Sequence, residues 1–207
     1  MSAVIPDLPR VVLGELVPLL RRAAELDQDA LVRIRSAEGI VAAYVRLPFD
    51  VLVSRAIQAP GAPAVDATAR AADVVVHVEA GTPVFSRDSD WRGSVPPRTG
   101  WRRVDVVPDD VLRPLVRSGA LALKEAGAKM PAGEPSRGVS ESLLGSVVLS
   151  VTGEDVRADI TLRMVSALTR MGFLPRGGHG VVAVSGRWTR LAAEYGTVYA
   201  EPPAGLL

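Results

Sequence analysis

The chain has 207 residues, of which 48% are hydrophobic and 23% charged, enough apolar surface for one large buried core or two small ones. Its 24 basic and 23 acidic residues leave a net charge of +1, which excludes a global attraction to nucleic acid or anionic membrane; such a partner would have to meet a local patch. No cysteine is present, so disulfides, thiolate metal sites and thiol catalysis are excluded.

The start, MSAVIPDLPRVV, has no basic leader followed by an apolar run. No later stretch approaches the roughly 18 apolar residues of a membrane span. The expectation is a cytoplasmic protein without a membrane partner. Residues 11–26, VVLGELVPLLRRAAEL, place Leu13, Leu16, Val17, Leu20 and Ala24 at helical spacing, with Pro18 inside. In ALVRIRSAEGIVAAYVRL, Val32, Ile34, Val41, Ala43 and Val45 alternate on either side of a turn at Ser36 to Gly39, the pattern of a β-hairpin. FDVLVSRAIQ reads as a third strand or as a short helix opened by Pro48. VDATARAADVVVHVEA reads as a helix capped by Asp66, with a competing strand signal over Val74 to Val78. A Pro/Gly/Arg/Trp segment, residues 81–107, follows as a connecting loop.

PDDVLRPLVRSGALALKEAG predicts an amphipathic helix with acidic residues in its first turn and Lys124 in its last, as the helix dipole favours. Residues 127–139, GAKMPAGEPSRGV, have the composition of a mobile linker. A second hairpin turns around Gly153 to Asp155, MVSALTRMGFL reads as a short helix, and GVVAVSGRWTRLAAEYGTVYAEP as two or three antiparallel strands. The halves share the order helix, hairpin, further segment, and carry Pro18 and Pro114 in register. Residues 11–58 are therefore expected to superpose on 108–173 as an internal repeat.

No catalytic motif is present. His77 and His179 belong to no metal-binding spacing, GGHG at 177–180 precedes a strand and cradles no phosphate, and Ser146 in LLGSVV lacks the second glycine of a nucleophile elbow. Asp109 with Asp110 fits a helix N-terminus, and Glu154 with Asp155 a hairpin turn. The reading is that the protein is not an enzyme, with no cofactor and no metal. His77, flanked by valines, is expected to be partly buried and satisfied by backbone. His179 beside Arg176, in a glycine-rich turn, is expected to be accessible and joins the candidate binding residues.

The tryptophans carry the clearest signal, because all three adjoin arginine: Trp91-Arg92, Trp101-Arg102 and Arg187-Trp188. Indole and guanidinium stack favourably and are the groups enriched at binding hot spots. Arginine is abundant here, however: 22 of the 24 basic residues, with Lys124 and Lys129 the exceptions, a bias expected of a GC-rich bacterial genome. Trp101, at the end of a long loop, and Trp188, in a strand, are expected to be structural anchors. Trp91, Arg92, Arg98, Arg102 and Arg103 form the expected binding face, the loop from Arg87 to Arg103 being ordered by burial of Trp101 against the following helix. That stretch holds five arginines and two aspartates, a local charge of +3, compatible with single-stranded nucleic acid or with an acidic protein surface.

The fold class that follows is α+β: two similar helix-plus-β-hairpin units with mainly antiparallel sheet and helices packed on one face. The units are residues 1–80 and 108–207, joined by the loop 81–107. The function that follows is non-catalytic binding or regulation, engaging a protein partner through the Arg/Trp loop. A nucleic-acid-binding module using the same patch is the alternative, and an enzyme with a divergent site comes third. The order helix, hairpin, further strand, helix is also loosely similar to one half of a DNA sliding-clamp domain, which implies a clamp-like version of the nucleic-acid reading; no clamp motif accompanies it.

Overall fold

The structure is a computed structural model that describes residues 8–128 and 136–201. The chain divides into two compact units, Met1–Val95 and Pro96–Leu207, so the boundary falls inside the expected connecting loop. Both are α+β, with antiparallel strands and helices on one face.

The first unit runs α1 (Arg10–Leu26), β1 (Leu31–Ala37), β2 (Ile40–Leu47), β3 (Val51–Gln58), β4 (Val65–Arg70) and α2 (Ala71–Ala80), then a 3-10 turn at Asp88–Asp90. Leu13, Leu16, Leu20 and Ala23 repeat at three- and four-residue intervals and are fully buried, which sets the face that α1 turns to the strands. The helix continues through Pro18. Strands β4, β1, β2 and β3 lie side by side in that order, with Val32 opposite Val45 and Ile34 opposite Ala43, all four fully buried. The hairpin turn uses Glu38 (φ 54°) and Gly39 (φ 72°), the two positive-φ positions that a tight two-residue turn requires.

Residues 65–80 depart from the expected single helix. Val65–Arg70 pair with β1 as strand β4, and only then does α2 begin. Asp66 caps nothing; its carboxylate bonds Arg33 at 2.7 Å and lies 3.3 Å from Arg35, both across the ladder on β1. The strand signal of Val74–Val78 loses because Ala71 and Val74 are the buried positions of a helix and Gly81 ends it in a left-handed conformation (φ 75°).

The second unit runs β5 (Arg102–Pro108), α3 (Asp109–Ala128), α4 (Arg137–Gly145), β6 (Val147–Thr152), β7 (Arg157–Thr161), α5 (Leu162–Arg170), β8 (His179–Ser185), β9 (Trp188–Ala193) and β10 (Gly196–Ala200). Strands β10, β9, β8 and β5 are neighbours in that order, while β6 and β7 form a separate two-stranded sheet. Val182, Leu191 and Val198 make one cross-strand row, fully buried. Helix α3 reaches that face through Leu112, whose methyl lies by Gly180 and Leu191. Helices α3 and α5 approach closely at Gly119, where a β-carbon would stand 2.5 Å from Leu162.

Three further expectations are corrected. Residues 102–107, assigned to the loop, form strand β5 together with Pro108, so Trp101 precedes a strand and not the helix. Most of the linker 127–139 lies outside the described residues, but its ends are helical: residues 127–128 close α3 and residue 137 opens α4, where the Ser136 hydroxyl accepts the Val139 N–H at 3.4 Å. The pairing of 11–58 with 108–173 keeps the order helix then hairpin but not the topology, because β6–β7 stands as its own sheet whereas β1–β2 continues into β3. The segment with the topology of α1-β1-β2-β3 is α5-β8-β9-β10, a helix followed by a three-strand antiparallel meander. In each unit the strand beside the first meander strand, β4 or β5, leads directly into a helix.

Candidate functional site

The meander of the second unit has two faces, and the one opposite α3 and α5 carries the polar chemistry. Cross-strand partners project to the same side of a sheet. Arg103 on β5 pairs with Ala183 on β8, Ala183 with Arg190 on β9, and Arg190 with Tyr199 on β10, so these four form one row. Trp101 and Trp188 stand two residues from Arg103 and Arg190 and share that side. The Trp101 ring lies 5.8 Å from that of Tyr199, and Trp188 meets Tyr199 edge-on at 6.4 Å. The Arg190 guanidinium carbon sits 4.5 Å from the centroid of Trp101, a cation–π stack. The Trp101 indole N–H donates to the Pro97 carbonyl at 2.8 Å, which fixes the approach of the preceding loop.

Arg190 is the unusual member. Its guanidinium is half-buried, and desolvation holds its pKa below the ordinary arginine value, opposed by the neighbouring Tyr199. Its Nε is buried without a hydrogen-bond partner among the described residues, and Arg190 enters no ion pair there. Sequence reading passed over Arg190 and Tyr199. The available signal was alternation along β9, which puts Arg190 on the face of Trp188.

The expected binding residues do not gather at one place. Trp91 and Arg92 belong to the first unit. Trp91 is half-buried, donates its indole N–H to Gly93 O at 3.1 Å, and follows the 3-10 turn that Asp88 ties to β4 by accepting the Thr68 N–H at 2.6 Å. Burial pushes the Asp88 carboxyl up, but hydrogen bonds from Ser86 and Thr68 and the charge of Arg33 outweigh it and hold the pKa below the usual value. Arg92 is exposed. Arg98, Arg102 and Arg103 belong to the second unit and are exposed, Arg102 and Arg103 at the start of β5. Trp101 is half-buried where full burial was expected, because its ring leans on a sheet face that is itself partly open; Trp188 is buried at 7% exposure.

Arg176 and His179 are exposed and lie at the far end of the same strands. His179 pairs with Pro108 at one end of the β5–β8 ladder and Arg102 with Val184 at the other, about 20 Å apart at the usual rise of a strand. The turn carrying Arg176 is held by the first turn of α3: the Asp109 carboxylate accepts the Gly177 N–H at 2.9 Å and Arg113 Nε at 3.0 Å, while Arg113 also donates to Leu174 O at 2.8 Å. The Arg113 hydrogen bond, then that of Gly177, holds the Asp109 carboxyl below its usual value. A cavity of about 350 Å³ opens here, lined by Gly178, His179, Val181, Ala192, Ala193 and Glu194. In the first unit, His77 Nδ1 lies 2.7 Å from Thr82 O, the backbone contact expected of it. Among the described residues no group of three or more acidic or histidine side chains could hold a metal ion, and no helix is long and apolar enough to cross a membrane.

Residues 96–205 match the family described as Domain of unknown function (DUF8185), a span that coincides with the second unit. The chain belongs to the DUF8185 family. Residues 11–93 match a second description, Domain of unknown function (DUF8010), so the boundary between the two matches falls where the two units of this DUF8185 protein divide. No curated protein matches the sequence. Among solved structures the fold is similar to the DNA polymerase sliding clamp of Bacillus subtilis, at 13% identity and TM-score 0.58, covering 97% of this chain and 64% of that one. It is similar also to the Helicobacter pylori beta clamp bound to a DNA ligase peptide, at 11% identity and TM-score 0.52, covering 95% and 65%. The Pseudomonas aeruginosa sliding clamp gives 9% identity, TM-score 0.54 and coverage of 94% and 64%. At such identities the likeness is one of fold, and the chain spans just under two-thirds of the clamps' length.

Proposed function

We propose that this DUF8185 protein is a non-catalytic binding protein that engages a protein partner through the arginine and tryptophan side chains of its second unit. The observation that carries this reading is the Trp101–Arg190–Tyr199 stack: a half-exposed indole held by rings, a cation and the Pro97 carbonyl, with exposed Arg102 and Arg103 next to it. A large ring already held in one orientation loses little freedom on binding, which is why such groups dominate protein interfaces. Likeness in fold to a beta clamp bound to a DNA ligase peptide supports a protein ligand. Trp91 and Arg92 are proposed as contacts of the first unit, Arg98 as one of the second, and Arg176 with His179 as a separate contact at the far end of β8. The same proposal sets the protein in a bacterial cytoplasm, supported by its excess of arginine over lysine and by its likeness in fold to bacterial sliding clamps.

The second reading is nucleic acid, favoured by likeness in fold to DNA polymerase sliding clamps. The patch supports it less well, because Arg87 is paired with Asp90 at 3.2 Å, leaving fewer cations for phosphates than the sequence count suggests. The two are separated by affinity capture from native lysate with and without nuclease, comparing wild type with Arg102→Glu/Arg103→Glu. A protein retained after nuclease and lost with the variant is the expected result. Copurifying nucleic acid, lost at raised salt, would replace the first reading with the second.

A further inference from the structure

Arg190 is a cation that the fold desolvates without giving it a carboxylate. A buried polar atom is normally hydrogen-bonded, and a half-buried guanidinium normally faces an acid; the Nε of Arg190 has no acceptor among the described residues. Glu201, which follows β10 on this face, is paired with Arg187. The Trp101 ring covers the guanidinium on one side and the Nε is buried, so the terminal Nη groups are what remains for a ligand. Arg103 is in the same cross-strand row, two strands away, about 10 Å at the usual strand spacing. Between them lies Ala183, itself buried at 1% exposure. Towards the other end, Val181 and Ala192 share the side of Ala183 and Arg190 and lead into the cavity at His179.

We propose that Arg190, assisted by Arg103, receives a carboxylate from an extended acidic segment of a partner protein laid across the sheet face opposite α3 and α5. The terminal Nη pair of the guanidinium, unlike the buried Nε, is open to a ligand and matches a planar carboxylate through two parallel hydrogen bonds. Val181 and Ala192, both partly exposed, offer small apolar contacts for the rest of the segment. Nucleic acid fits less well: a phosphate backbone is held by a run of cations, and this face offers two arginines with Glu194 and Glu201 nearby.

The inference rests on the protein-binding reading, and its test separates the two. Random dodecapeptides displayed on phage are selected on the intact wild-type protein, and the recovered sequences are assayed on Arg190→Gln, Arg190→Lys and Arg103→Gln, each checked for an unchanged thermal transition. The expected result is enrichment of Asp and Glu, with affinity falling about tenfold or more on Arg190→Gln, the scale of a lost charge-assisted hydrogen bond. Arg190→Lys should recover only part of it, since an ammonium keeps the charge but not the fork. Arg103→Gln, at an exposed position that carries no risk to the fold, should weaken the same peptides. Binders without carboxylates, or binders indifferent to Arg190, overturn the inference and leave the protein-binding reading standing. A selection that yields no binder removes that reading and the inference with it. Displacement of the acidic peptides by single-stranded oligothymidylate at equal concentration would overturn the choice of a protein carboxylate.

Discussion

Three tryptophans that look alike in the sequence differ in how much surface each removes from water. Trp188 is 7% exposed and packs edge-on against Tyr199, so Trp188→Ala should cost about 3–5 kcal/mol. Trp101 is half-buried and keeps its contacts with Arg190, Tyr199 and the Pro97 carbonyl; its truncation should cost about 1–3 kcal/mol. Trp91 is half-buried in a short loop and, among the described residues, its indole N–H bonds locally, to Gly93, so Trp91→Ala should cost less still, about 1 kcal/mol or below. Denaturant midpoints of the three variants check the ranking 188, 101, 91; any other order would show that exposure is a poor guide to anchoring here. An anchor at Trp188 was readable from strand alternation. The half-open setting of Trp101 was not, because it depends on Arg190 and Tyr199, which are far away in the chain and meet it only through the register of four strands.

Elements are joined in this fold by a few close or charged contacts whose removal has a defined signature. Gly196 opens β10 where the ring of buried Phe173 lies flat against the strand; a β-carbon there would stand 2.5 Å from the ring. A packed aromatic cannot step aside as a flexible chain end can, so Gly196→Ala should destabilise the second unit by about 1–3 kcal/mol, measured by chemical denaturation. The first turn of α3 gives a pH-dependent case. Asp109 has a folded pKa lowered by Arg113 and the Gly177 N–H. Its stabilisation is therefore complete above the unfolded carboxylate pKa, about 4, and is lost as pH falls through the lower folded value. Asp109→Asn should be less stable than wild type at pH 7, with the gap closing at strongly acid pH. An equal gap at both ends would show that the residue acts by shape and not by charge. At this scale the sequence was legible wherever periodicity and turn chemistry agreed: α1, the hairpin at Glu38-Gly39, α3 and the final meander. It was misleading where local preference and tertiary pairing conflicted. Val65–Arg70 read as helix because Ala and Arg favour it, yet the ladder to β1 and the ion pairs of Asp66 make it a strand. Residues 102–107 read as loop because the prolines and glycines of 93–100 precede them, yet their backbone completes the edge of the sheet at β8.

The charge of the whole molecule is close to balance, but the balance is between two unlike halves. Residues 1–95 carry 10 basic and 12 acidic side chains, and residues 96–207 carry 14 and 11, so the net +1 combines a first unit at −2 with a second at +3. A modest positive field on the unit that holds Arg102, Arg103 and Arg190 speeds encounter with an acidic surface, whereas strong non-specific binding to nucleic acid needs many more uncompensated cations. The two partner classes therefore differ in how affinity responds to salt. A protein that neutralises 6–10 phosphates loses roughly a thousand- to a hundred-thousand-fold in affinity between 50 and 200 mM salt. An acidic segment held by Arg190 in a partly desolvated site and by Arg103 at its rim is less screened, because only the exposed cation lies fully in the ionic atmosphere. Affinity for the captured partner, measured by calorimetry or fluorescence at 50, 100 and 200 mM salt, should fall by about tenfold or less over that range. Arg103→Gln should flatten the dependence further, since it removes the screened contact, whereas Arg190→Gln should lower affinity at every salt concentration without changing the slope. A steep slope that survives both substitutions would move the interface away from this sheet face and onto cations elsewhere in the molecule.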